Sequence, residues 1–279
     1  MLATGSVGRL EEDFAALVAT GAGSDLGRAA LAIARIEYPA LDPDPHLSRL
    51  DALAAAARPR LPGGPTAGAA LAAHLFGEGG FRGNPEEYYD PRNSFLNDVL
   101  ERRMGIPVSL AVVLIETGAR LGIEVEGVGF PGHFLARVPG AAGPVVLDPF
   151  FGGREVGERE LLERYRAFLG PSSAACQQVP PQALAATGTL DILARMLRNL
   201  LGIYLERADP ARAREAVTLL LVLAPDAADE TRIRGLLHER LECLGAALED
   251  FRRYLALVPE APDAEEIRRR VTRLAGTIH

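Results

Sequence analysis

The last third of the chain matches itself at an offset of 34 residues, and no other feature limits the fold so strongly. Ile203 falls on Leu237, Ala213 on Ala247, Val217 on Phe251, Leu220 on Tyr254, Leu223 on Leu257 and Pro225 on Pro259. A repeat of this length that ends on proline is a helix–turn–helix unit, which buries its apolar face only by stacking on a neighbour. The small Ala213 and Ala247 let paired helices approach closely. Two units are visible, fewer than the roughly three that usually stand alone, so the pair is expected to pack on the preceding domain.

Period, pairing and terminal proline together make the tetratricopeptide pattern. It is assigned to residues 187–279, behind a linker at 171–186 rich in Ser, Gln and Pro. Residues 1–80 read as a helical lead-in. Leu10, Phe14, Leu17 and Val18 make one apolar stripe, and Leu26, Ala30, Ile33 and Ala34 another. A third helix is expected from His46 to Arg58, and a short one through Leu71 and Leu75, each after a proline-rich break. Residues 81–170 form the intervening core. Asp90 and Pro91 read as a helix start, and Phe95, Leu96, Val99 and Leu100 then recur at helical spacing up to Arg103. A second helix, about Val108 to Leu121, is apolar on every side in its first half, as a helix buried all round must be. Gly122 closes it.

Three strand candidates come next, at 124–130, 133–138 and 144–148, and a further helix from Glu158 to Leu169. The last two strands flank Pro139-Gly140-Ala141-Ala142-Gly143 and read as a hairpin centred near residue 141. That centre sets His133 and Asp148 nearly opposite each other, within reach of an imidazole–carboxylate hydrogen bond.

Composition removes several kinds of chemistry. All 30 basic residues are Arg, so Schiff-base catalysis and lysine-based phosphate loops are excluded. The net charge of −7 counts against a nucleic-acid or acidic-membrane partner. No metal site is expected, because the two cysteines, Cys176 and Cys243, lack ligand spacing and the five histidines lie far apart. His46, His74, His238 and His279 read as surface or packing residues. No signal-type apolar core or bilayer-length apolar stretch occurs, so the expected location is the cytoplasm. No cofactor is implied.

The blocks GIPVSLA, GVGFPGHF and LDPFFGG, followed by the repeats, resemble the SirB family of bacterial proteins, which join a transglutaminase-like core to C-terminal tetratricopeptide repeats. The resemblance implies an α+β protein: helical lead-in, papain-like core with a small antiparallel sheet against a buried helix, then the repeat helix pairs. Catalytic members of the wider transglutaminase and papain-like group use a cysteine at the start of the buried helix, with a histidine and an aspartate on neighbouring strands. His133 and Asp148 match the last two. The cysteine has no counterpart: either Pro107 or Ser109 stands in its place.

That loss leaves two readings. In the leading one, the chain is a cytoplasmic interaction or regulatory protein on a degenerate, non-catalytic core, a pseudoenzyme that engages a protein or peptide through its repeats or its cleft. Asn93, Asn97, Phe130, Gly132 and Phe150 are the candidate cleft residues, in Gly-rich and aromatic surroundings that also include Phe151. In the alternative, Ser109, His133 and Asp148 make a hydrolase or acyl-transfer enzyme. A serine hydroxyl is far less acidic than a thiol, so that route needs an aligned base and an oxyanion hole. The chain also lacks the GxSxG nucleophile elbow.

Overall fold

Residues Val108 to Leu114 are all buried in the computed structural model, and the helix that they begin is the centre of one of two packed units. The structure describes residues 4–21, 25–170 and 176–277. One unit comprises Gly21–Ala34 and Leu41–Met196; the other comprises Met1–Thr20, Arg35–Ala40 and Leu197–His279. The lead-in, expected as one block over 1–80, is therefore shared between the two. The helix α1 (Thr4–Val18) goes with the repeats.

The core unit begins with α2 (Leu26–Ile33), α3 (Asp44–Ala57) and α4 (Ala67–Phe76). Next come β1 (Arg82–Gly83), α5 (Leu96–Arg102), β2 (Met104–Gly105) and α6 (Pro107–Leu121). Asp90 does cap a helix start, accepting from Arg92 N at 2.9 Å, but the element it caps is a 3-10 turn over Pro91–Asn93 and not α5 itself. The fixed φ of Pro107 suits the first position of α6, and Gly122 ends that helix at φ 70°. α2, α3, α4 and α5 all pack on α6, which explains why its first half needs no polar face.

The sheet covers another side of α6. Its strands are β3 (Glu126–Val128), β4 (Leu135–Val138), β5 (Val145–Asp148), β6 (Arg154–Glu155) and β7 (Ala186–Thr187). Between the last two runs α7 (Glu158–Leu169). The order is β6-β5-β4-β3-β7, antiparallel throughout. All three expected strands are present but shorter. β7 straddles the expected boundary, with Ala186 in the linker and Thr187 in the repeat region, so the end of the linker meets an edge of the sheet. The β4–β5 hairpin pairs Ala136 with Leu147, a register two residues from the one expected. A slip of two keeps every side chain on its face, whereas a slip of one would have inverted them all.

The other unit shows the repeat directly. α8 (Thr189–Glu206), inside which the division between units falls, is followed by α9 (Pro210–Leu223), α10 (Ala228–Arg240), α11 (Leu244–Leu257) and α12 (Ala264–Thr277). α9 and α11 coincide at both ends when shifted by the sequence offset. Ala208 and Glu242, also one offset apart, turn the chain between paired helices with φ of 55° and 59°. Ala213, Ala247, Val217 and Phe251 are fully buried, as the repeat requires. Extra cover comes from within the unit. α12 closes one side, sharing a cluster with Phe251 and Tyr254, and α1 packs on α9. Glu37 receives Arg212 at 2.7 Å and the Tyr204 hydroxyl at 3.3 Å.

The two repeats differ at one point. Asp250, buried on α11, takes Arg234 at 2.6 Å and His238 Nδ1 at 3.0 Å from α10. The equivalent positions of the first repeat are Ala216, Leu200 and Tyr204. A buried ion cluster thus replaces an apolar contact. Among the described residues, no helix is long and apolar enough to cross a membrane.

Candidate functional site

β5 ends on Asp148, and the chain then turns so that its own amides meet that side chain. Phe150 N and Phe151 N donate to Asp148 Oδ1 at 3.1 and 3.3 Å. His133 stands in the turn before β4, not on the strand, and its Nε2 lies 3.0 and 3.1 Å from the two carboxylate oxygens. Arg164, from α7, donates to Oδ2 at 2.7 Å. Burial pushes the fully buried Asp148 carboxyl up, but His133 and Arg164 more than offset it and hold the group below the usual aspartate range. An ionised Asp148 then fixes the imidazole with Nε2–H toward it, leaving Nδ1 without a partner among the described residues. Arg164 also binds Glu160 at 2.7 Å, and Arg154, with Arg164, holds that carboxyl down to about 2.

Aromatic rings surround the pair. Phe151 stacks beside His133, with centroids 6.2 Å apart and an interplanar angle of 29°. Phe150 meets the imidazole edge-on at 6.4 Å, and Tyr88 meets Phe150 at 5.8 Å. β1 passes so close that a Cβ on Gly83 would stand 2.6 Å from the Phe150 ring and carbonyl, so only glycine fits there. Burial raises the Tyr88 hydroxyl above its ordinary pKa, against the pull of the Arg195 charge.

Ser109 does not join this group. Its side chain is fully buried in the first turn of α6, where Oγ donates to Asn93 O at 2.6 Å and accepts from Ile106 N at 3.1 Å. The hydroxyl closes the helix start, satisfying backbone groups that would otherwise be orphaned. Among the described residues no hydrogen bond links Ser109 to His133, so the three residues of the alternative reading are not joined in one hydrogen-bonded chain. Nor does a thiol stand in: Cys176 Sγ approaches Gln178 O at 3.3 Å, and Cys243 is exposed. Cys243 occupies the N-cap position of α11, with no side-chain cap hydrogen bond.

The candidate cleft residues divide. Phe150 is part of the site. Gly132, at φ 74° in the turn that presents His133, is held by a conformation only glycine adopts freely. Phe130 is a correction: it is fully buried with Val128, Leu135, Val156 and Leu161, so it supports the sheet from the core. Asn93 is spent on scaffolding. Its Nδ2 donates to Glu87 O at 2.6 Å and Tyr88 O at 3.3 Å, while Asn84 and Arg102 donate to its Oδ1. Asn97 is buried, with its Oδ1 lacking a hydrogen-bond partner among the described residues. Sequence reasoning missed Arg164: its only signal is helical spacing from Glu160, the mark of a solvated helix face. It also passed over Tyr88. His74 and His238 lie at ion pairs and His46 is partly buried, whereas His279 is outside the described residues. No cluster of three or more His, Cys, Asp or Glu that could hold a metal ion occurs among the described residues.

Comparison with known proteins agrees with this arrangement. A model of the transglutaminase-like superfamily matches residues 44–198, and a tetratricopeptide-repeat model matches 200–272. A UPF0162 protein of Xylella fastidiosa is 42% identical over 245 residues, 86% of each chain. A UPF0162 protein of Pseudomonas aeruginosa is 34% identical over 71% of each, and Protein SirB1 of Salmonella typhimurium is 27% identical over 74% of this chain and 75% of its own. With a family model over residues 44–198, repeats over 200–272 and a relative 42% identical over most of both chains, the chain belongs to the transglutaminase-like superfamily, in the family of UPF0162 and SirB1 proteins.

Proposed function

We propose that the chain is a cytoplasmic interaction or regulatory protein whose transglutaminase-like core has given up catalysis and kept a binding site around His133 and Asp148. One observation carries this reading: the hydroxyl of Ser109, the candidate to replace the lost thiol, is buried and committed to Asn93 O and Ile106 N. A nucleophile must be open to its substrate and hydrogen-bonded to its base, and Ser109 is buried with no hydrogen bond to His133 among the described residues. Tetratricopeptide repeats generally mediate contacts between proteins, which supports a partner reached through the repeats or through the core site.

The hydrolase reading retains one supporting observation. His133 is oriented by an ionised carboxylate through Nε2 and has Nδ1 without a partner among the described residues, as a general base would be. Amine incorporation and ester and peptide hydrolysis should therefore be assayed on the wild type, on His133→Ala and on a protein with both cysteines changed to serine. Equal background from all three is the expected result. Turnover that disappears with His133 would replace the binding reading with an enzymatic one, and turnover that disappears with Cys176 would mean the nucleophile lies there.

A further inference from the structure

We draw no further inference here: the strongest candidate, the aromatic surface that runs from Tyr89 to Phe151 beside His133, borders the site already described, and nothing in the structure shows what covers it.

Discussion

The Ser109 hydroxyl reaches across 16 residues of sequence to the carbonyl of Asn93, at 2.6 Å. Asn93 in turn holds the carbonyls of Glu87 and Tyr88 with its side-chain amide, and Tyr88 packs on Phe150 beside His133. Ser109 is thus tied, bond by bond, to the loop that carries Tyr88. A hydroxyl used this way supports that loop.

Ser109→Ala should therefore lower stability and leave any background hydrolysis unchanged. A buried hydroxyl bonded on both sides is worth about 1–3 kcal/mol when its partners lose it. Urea denaturation gives the stability change, and an ester assay on the same samples gives the other half. A stable variant with reduced hydrolysis would contradict this role.

Acid should weaken both units through two aspartates. The folded-state pKa values of Asp148 and Asp250 lie below the ordinary 3.8, because paired cations outweigh burial. Each thus contributes stability that is fully present above that ordinary value and is lost as pH falls through its depressed folded value. Asp250→Asn should cost about 3–5 kcal/mol at neutral pH, because it leaves Arg234 and His238 without their carboxylate. Its stability should also fall less steeply on acidification than that of the wild type. Denaturation at pH 7 and pH 3 compares the two, and parallel losses would show that Asp250 titrates normally.

Gly83→Ala should disturb the site from outside it. The added methyl meets the Phe150 carbonyl as well as its ring at 2.6 Å, and backbone cannot move aside as a side-chain tip can. A cost of about 1–3 kcal/mol is expected, with displaced imidazole resonances of His133 in NMR spectra. Gly63→Ala is the control, since nothing lies within 4 Å of a Cβ there. Unshifted His133 signals in the first variant would mean that Phe150 does not set the position of that ring.

Ala208→Gly and Glu242→Gly should each raise stability. Both residues hold a left-handed conformation that costs an L-residue about 1–2 kcal/mol and glycine nothing. Glycine's greater freedom in the unfolded chain returns part of that, leaving about 0.5–1 kcal/mol each. Lying in separate turns, the two gains should add, which a double variant measures in one denaturation series.

Much of the fold is legible in the sequence alone. α7 begins and ends where its composition says, and the repeat offset carries over to matching helix ends and matching turn conformations. Long periodic segments carry many residues' worth of signal. The two-residue strands β1, β2, β6 and β7 carry none, because alternation cannot be seen over two positions. The contact between His133 and Asp148 is expected from a hairpin register two residues out, and it forms with His133 in the turn before β4 and not on the strand. Arg164 stays hidden because helical spacing shows which residues share a face and not what that face meets. The fate of Ser109 depends on a carbonyl far along the chain.

The assignment of α1 to the repeat unit has a consequence for how the protein is made. The core unit is almost one continuous stretch of chain, and it can close before synthesis ends. α1 emerges before the core unit, yet α9, on which it packs, lies about 190 residues later. At roughly 5–20 residues per second, the interval is on the order of ten to forty seconds. For that time Phe14 and its apolar neighbours have no permanent place, and a helix made before the core is buried only after it. A ribosome paused before α9 should therefore display α1 to any chaperone or protease that recognises exposed apolar helix.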